Sequence, residues 1–318
     1  MFLVTFHSGN VRAYSDDGAE KSKAVLDPEP PDAELRALRI VAGGSLWVAN
    51  GSKAQSAILG YSGSGSSYSG GAPIVEYPAA EALWHPFDFT FSPDRTQCYV
   101  SNQDTNVVAR FIVGPGGQSM TAAPVAPALH GTFLHGTFVA SSSGNLCDAR
   151  PTTPVDEQHG GLGVTCDAQP TNCCKPTHSV RGVLWANGAL YVADEPGNAV
   201  RIYGDDGTYL GYGSVPSPVH LLEAFGHLYA TGAGGIFISA LAPGPPWTLS
   251  FPSTPSIQLE DAAGMTVGPN NWLYVATRKK TGAQIVVFPH PEAAAAAEHE
   301  PKPFPVHADP EFVLYVPG

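Results

Sequence analysis

Leu190-Tyr191-Val192-Ala193, followed by Gly197-Asn198-Ala199-Val200-Arg201-Ile202-Tyr203-Gly204-Asp205-Asp206-Gly207, is the stretch that decides the fold. A short apolar run meets a polar turn, then a second apolar run, then Asp-Asp-Gly, a turn in which glycine takes the positive φ. Runs this short, bounded by turn residues, read as strands. The chain opens in the same way: Gly9-Asn10-Val11-Arg12-Ala13-Tyr14-Ser15-Asp16-Asp17-Gly18 mirrors residues 197–207. The first phrase recurs as Phe2-Leu3-Val4-Thr5, Leu46-Trp47-Val48-Ala49, Cys98-Tyr99-Val100-Ser101, Leu228-Tyr229-Ala230-Thr231 and Leu273-Tyr274-Val275-Ala276.

The copies start at 2, 46, 98, 190, 228 and 273, so their spacings are 44, 52, 92, 38 and 45. A period of roughly 40–50 residues is that of propeller blades. The spacing of 92 is about twice the others, and residues 130–141 align without a gap on 220–231, placing Phe138 where Leu228 stands. The reading is therefore one all-β domain over residues 1–318, a β-propeller with seven blades; six blades plus a long insertion is the alternative. Each blade needs a strand before the phrase, and Phe2 already begins the first copy. The C-terminal Phe312-Val313-Leu314-Tyr315-Val316 supplies that strand, closing the ring and leaving no free edge.

Bulk composition agrees. Gly at 35 and Pro at 30 fall between short apolar runs, and charged residues are only 14% against 43% hydrophobic. That is the balance of many strands and tight turns. A net charge of −12 with no basic stripe excludes nucleic acid as a partner. Arg278-Lys279-Lys280, where a turn is expected, reads as a solvated loop tip. No apolar run approaches the ~18 residues of a membrane span, and the start of the chain lacks the basic residues of a signal peptide. Cys147, Cys166, Cys173 and Cys174 crowd a Pro/Gly-rich excursion at about 146–177, and no zinc-type spacing is present, so local disulfides are expected there. Together with the sequon Asn50-Gly51-Ser52, they lean toward a secreted or extracytoplasmic location. Cys98 takes the Leu place of the phrase and is expected in the core. The alanine-rich run at 291–303 reads as a rim loop or a short helix.

His85-Pro86-Phe87-Asp88-Phe89-Thr90-Phe91-Ser92-Pro93-Asp94, leading to Cys98-Tyr99-Val100-Ser101, resembles the NHL, YncE and streptogramin-lyase group of propellers. Cys174-Lys175-Pro176-Thr177 with Leu190-Tyr191-Val192-Ala193-Asp194 resembles part of the peptidyl-amidoglycolate lyase propeller. The resemblance covers nearly the whole chain and implies the fold. It implies no single activity, because this architecture hosts lyases, lactonases and binding rings alike. Gluconolactonase and paraoxonase propellers hold calcium at the channel with Glu, Asn and Asp. No residue-by-residue match to that set exists here.

In a propeller the strand before each phrase lines a central channel, and the residues entering these strands gather at one mouth. Aligning the copies gives two entry positions per blade. They hold Arg36 and Arg39, His85 and Asp88, Pro127 and His130, His178 and Arg181, Ser217 and His220, Asp261 and Gly264, and Asp309 and Phe312. Four of the 11 histidines and three of the nine arginines fall on these 14 positions, far more than a random surface strip would carry. Each has a plain structural reading, as a hydrogen-bonded strand entry or an inter-blade ion pair. As a group they are expected to form a ligand site. His85, His178 and His220 are the catalytic candidates, as general bases or as ligands of a divalent metal (Zn, Fe, Ca or Mg) completed by Asp88 and Asp261. Arg36, Arg39, Arg181 and His130 would bind a small anionic substrate.

Other chemistries drop out. Gly60-Tyr61-Ser62-Gly63-Ser64-Gly65 fails the nucleophile-elbow pattern, since Ser64 stands at the last glycine. No phosphate-cradling glycine motif sits between a strand and a helix. Two functions compete: a small-molecule lyase or hydrolase working at the mouth, with or without a metal, and a non-catalytic binding or scaffold ring.

Overall fold

The computed structural model describes the chain except for residues 53, 77–82, 84, 104–106, 118, 123–133, 136–179, 196, 206–208, 242–243, 246, 279–281, 290–301 and 318. Six antiparallel sheets, taken here as blades 1 to 6, form the ring. From the channel outward, blade 1 holds Pro310–Tyr315, Phe2–Phe6, Arg12–Tyr14 and Glu20–Ser22. Blade 2 holds Leu35–Ile40, Leu46–Asn50, Ala57–Ser64 and Ser67–Glu76, with Leu26–Asp27 added in parallel on its outer edge. Blade 3 holds Pro86–Phe91, Gln97–Asn102, Val107–Val113 and Met120–Ala122, and blade 4 holds Val180–Ala186, Ala189–Asp194, Ala199–Tyr203 and Tyr209–Ser214. Blade 5 holds Leu221–Ala224, His227–Gly232, Gly235–Ala240 and Ile257–Gln258; blade 6 holds Ala262–Val267, Leu273–Thr277, Gln284–Phe288 and Phe304–Pro305.

The recurring phrase is the second strand of every blade. In blades 1, 2 and 6 all five of its residues are buried, because blades pack face to face and neither side of this strand meets water. Its aromatic residue packs on the next blade: Trp47 against Phe91 at 5.5 Å and Tyr274 against Phe2 at 4.4 Å, both tilted, and Tyr99 stacked on Trp185 at 5.4 Å between centroids. Cys98 is fully buried and unpaired, and burial pushes its thiol pKa up. The other four cysteines lie outside the described residues.

Ring closure is as the terminal strands required. Phe2, Leu3 and Val4 pair with Tyr315, Leu314 and Val313, antiparallel. The two Gly-Asn motifs also do matching work. Asn10 donates to the carbonyl of Leu26 and accepts its N–H, at 2.8 and 2.9 Å, while Asn198 accepts the N–H of Ser217 at 2.9 Å. Each ties the start of a third strand to the linker leading into the next blade.

The seventh blade is corrected to six. The inner strands of blades 3 and 4 are direct neighbours: Val183 N–H donates to Asp88 Oδ2 at 3.2 Å and Trp185 N–H to Thr90 Oγ1 at 3.2 Å. No inner strand fits between them. Leu134–His135, inside the proposed extra copy, instead runs parallel to Val108 and Ala109 at the outer edge of blade 3. The doubled spacing reflects added length between blades 3 and 4. The excursion at about 146–177 lies outside the described residues, as do Phe138 and the 291–300 alanine run.

Candidate functional site

Where the inner strands enter the ring, the backbone turns sharply. His85, Ser217, Asp261 and Asp309 have φ of 49°, 44°, 56° and 56°, the left-handed region. Short polar residues and histidine tolerate it best, which accounts for the polar character of four first entry positions. The carbonyls of His85, Asp261 and Asp309 accept the N–H groups of Gln103, Arg278 and His7 at 3.0, 2.8 and 3.2 Å. The turn thus seats another ring of side chains over the mouth.

Immediately inside, most inner strands carry a β-bulge. Register shifts fall between Leu35 and Leu38, between Val180 and Val183, between Ala262 and Met265, and opposite Ser101/Asn102 and Thr5/Phe6. A bulge re-aims one side chain; here the bulged residues include Arg36, Phe87, Arg181 and Glu311. One level deeper stand Asp88, His220 and Phe312. The N–H of Asp88 donates to Ser101 Oγ and that of His220 to Thr231 Oγ1, both at 3.0 Å, while Phe312 pairs with Thr5. At this level Gly182 and Gly264 allow backbone contact: a Cβ on Gly182 would meet Val219 O at 2.8 Å and one on Gly264 would meet Phe312 Cα at 2.6 Å.

The entry alignment needs correction in two blades. Arg181 lies one level nearer the mouth than Asp88, and Arg39 lies deeper, since Arg39 pairs with Trp47 as Thr90 pairs with Tyr99. Hairpins of unequal length and the bulges shift the count. Arg39 donates to Asp88 Oδ1 at 2.9 Å and to Leu38 O at 3.0 Å, and its guanidinium lies 4.6 Å from the Phe312 ring centre. It also borders a cleft of about 850 Å³ with Trp47, Thr90, Phe91 and Arg95, toward the far end of the inner strands.

Arg36 is the hub of the mouth. Its Nη1 lies 2.7 Å from His7 Nδ1 and donates to Glu311 Oε1 at 3.0 Å; its Nη2 reaches Glu34 Oε2 at 3.5 Å and His85 Nε2 at 3.4 Å. Arg278 Nη2 lies 2.7 Å from Glu311 Oε2. Arg181 Nε donates to Glu195 Oε2 at 2.7 Å, and its guanidinium covers Phe87 at 5.0 Å. Burial works against the charge on Glu311, but the bond from His7 and the Arg278 and Arg36 charges outweigh it and hold its pKa at about 2. Reading Arg278 as a solvated loop tip was an error of adjacency. It turns inward onto Glu311, while Lys279 and Lys280 lie outside the described residues.

His220 is only 2% exposed and lies between Phe87 and Phe312, with ring centres at 5.1 and 5.5 Å. Neither of its ring nitrogens has a hydrogen-bond partner among the described residues. Burial first, then the charge of Arg278, lowers its pKa well below the usual 6.5, so it is a neutral imidazole. Three other buried polar groups nearby also lack partners among the described residues: Arg36 Nε, Arg278 Nε and Nη2, and Glu311 Oε2. At 2.7 Å, the Arg278–Glu311 contact brings charges together without aiming an N–H at the oxygen.

Of the sequence candidates, Arg36, His85, Arg181 and His220 meet at this mouth. Asp88 and Arg39 pair below it, Asp261 serves the exposed turn, and His130 and His178 lie outside the described residues. Among the described residues no three His, Cys, Asp or Glu side chains converge as metal donors. Asp88 is committed to Arg39 and to the N–H groups of Phe89 and Val183, and Glu311 to two arginines. These donors do not fit a divalent ion. Glu311, Arg278, His7 and Glu195 were not among the sequence candidates; their regular position, one residue past each second strand or inside a bulge, was the available signal.

No protein-family model matches this chain, and no curated protein matches it. Solved structures do. The periplasmic gluconolactonase of Pseudomonas aeruginosa is 17% identical over 92% of this chain and 79% of that one, with a TM-score of 0.57. A streptogramin B lyase is 13% identical over 98% and 82%, TM-score 0.52, and a chain of the nidogen–laminin complex is 14% identical over 98% and 96%, TM-score 0.55. What they share is the fold. The streptogramin-lyase resemblance read from the repeat holds at that level, and the neighbours include both enzymes and a protein–protein complex.

Proposed function

We propose that this protein is a small-molecule lyase or hydrolase working at the channel mouth, with His220 as the general base. One observation carries the reading: a fully buried, neutral imidazole with both nitrogens unpaired among the described residues. An unsatisfied buried polar group costs about 1–3 kcal/mol, and a purely structural filler between Phe87 and Phe312 has no need of nitrogens. In hydrolysis, His220 takes a proton from water as its oxygen adds to a carbonyl carbon. The carbonyl oxygen gains charge beside Arg278 and Arg36, the bond to the leaving oxygen breaks, and the imidazolium returns its proton to that oxygen. In a lyase the same nitrogen removes a carbon-bound proton, the freed electron pair forms a double bond to the neighbouring carbon as its bond to the leaving oxygen breaks, and the imidazolium gives the proton to that oxygen. The three arginines make a small anionic substrate the natural class. No step passes through a metal.

The test is turnover of a panel that includes gluconolactone, 6-phosphogluconolactone and a streptogramin B, compounds of the kind the neighbouring propellers are named for. The expected result is turnover of one member, reduced about 10²–10⁴-fold by His220→Gln without loss of the folded state. Retained activity in that variant overturns the role of His220. A ligand bound at the mouth with no chemistry done on it supports the binding-ring alternative. A location outside the cytoplasm belongs to the same proposal and matches the periplasmic gluconolactonase. The sequon no longer supports it, because Asn50 is fully buried and bonded to Glu34 N–H and Gln55 O.

A further inference from the structure

The guanidinium groups of this protein are not equivalent, and counting their bonds separates them. Both terminal nitrogens of Arg36 are engaged, by His7, Glu311, Glu34 and His85. Both terminal nitrogens of Arg39 are engaged, by Leu38 and Asp88. Arg181 and Arg201 spend Nε on Glu195 and Asp194 at 2.7 Å each. Arg278 differs. Its Nε and Nη2 are both buried, and neither donates a hydrogen bond among the described residues; Nη2 lies 2.7 Å from Glu311 Oε2 without aiming an N–H at it, and Nε has no such neighbour. These two nitrogens form one side of the guanidinium plane, the edge whose parallel N–H bonds match the two oxygens of a carboxylate.

We propose that Arg278 is the specificity-determining residue of the mouth, and that this edge grips the carboxylate of a small hydroxy acid. The inference deepens the reading of the mouth as a ligand site. Arg36 then acts as scaffold, fixed by four partners, with Nε alone left to touch the ligand. Glu311 Oε2, which lies 2.7 Å from Arg278 Nη2 but receives no aligned N–H among the described residues, accepts a hydroxyl hydrogen beside the carboxylate, and the His220 nitrogens offer a third point of contact. Charge argues for a carboxylate over a phosphate. Arg36 and Arg278 carry two positive charges against the two negative charges of Glu34 and Glu311, so the cluster has no surplus positive charge for a dianion and a single negative group disturbs it least. A dianionic phosphate would bring excess charge against the Glu311 carboxylate.

The experiment is calorimetric titration of the full chain with D-gluconate and lactate, and with their neutral counterparts glucose and lactamide. Inorganic phosphate is titrated as a separate arm. At least one hydroxy acid is expected to bind with a Kd of about 1 mM or tighter, and the neutral compounds more weakly by tenfold or more. Arg278→Lys keeps the charge and removes the edge, so it should weaken the hydroxy acid about 10- to 100-fold, the span of a charge-assisted pair. Arg95→Ala, on the far cleft, should leave binding unchanged. The proposal is overturned if no hydroxy acid binds, if Arg278→Lys binds like wild type, or if phosphate binds as tightly as the acids. The comparison of acid with neutral compound in wild type stands even if the lysine variant misfolds. Turnover failing while this binding holds removes the catalytic reading alone; binding failing while turnover holds removes this one alone.

Discussion

Two ion pairs occupy one channel and show opposite workmanship. At the deeper level, Asp88 accepts from Arg39 and from the N–H groups of Phe89 and Val183, and Arg39 spends its other terminal nitrogen on a carbonyl. At the mouth, Arg278 and Glu311 sit at 2.7 Å with three of their polar atoms lacking a hydrogen bond among the described residues. The first pair is complete without any guest, and it joins blade 2 to blade 3 and blade 3 to blade 4. The second pair is incomplete, and that incompleteness is what the proposal takes to distinguish a binding group from a brace. Buried charge alone does not mark function; buried charge with unspent bonding capacity does.

Three measurements can break or sharpen this contrast. The largest effect is expected from Asp88→Ala, which strands the Arg39 charge and leaves the Val183 N–H without its acceptor. Removing one partner of a buried pair typically costs about 3–5 kcal/mol, read from denaturant unfolding. A cost below about 1 kcal/mol would place the deeper pair in the same class as the mouth. A middle-sized effect belongs to His220. Its folded pKa is depressed by burial and by Arg278, so the unfolded chain takes up a proton near its ordinary 6.5 while the folded chain does not. Stability is therefore full above about pH 6.5 and falls below it, with a limiting slope of about 1.4 kcal/mol per pH unit. His220→Phe should remove that slope; an unchanged slope means the imidazole is charged or solvated in the fold. The smallest effect is expected from Arg278→Met: Glu311 loses the Arg278 charge but keeps its aligned bond from Arg36, so the stability cost at neutral pH should stay well below that of Asp88→Ala. A loss as large as that of Asp88→Ala would make Arg278 a brace.

The ring was legible because its signal is periodic and local. Six phrases, two Gly-Asn turns and the apolar C-terminal run each lead directly to a strand, and Cys98 is buried because it stands where other copies carry Leu. The blade count was not legible, since length between two phrases does not say whether the added residues enter the ring or leave it. At the site, Arg36, His85, Arg181 and His220 could be gathered from their spacing. Glu311 could not, because it sits inside the strand Pro310–Tyr315 and only the bulge opposite Thr5/Phe6 turns it into the channel. Arg278 was hidden by Lys279 and Lys280, since three basic residues in a row read as solvated although the first turns onto Glu311. The levels of Arg39 and Arg181 went wrong for a related reason: hairpin length varies between blades, and each extra turn residue displaces the count.

The strand that closes the ring also carries Glu311. During synthesis the ribosome makes Phe2–Phe6 before the other blades and Pro310–Tyr315 only after all the other inner strands. The acidic anchor of the mouth is thus delivered by the step that seals blade 1. A nascent chain stopped short of this strand has neither a finished barrel wall nor Glu311 to seat Arg36 and Arg278. On the proposed reading of the mouth, assembly and competence to bind therefore arrive together, and a partly made chain presents no half-formed site.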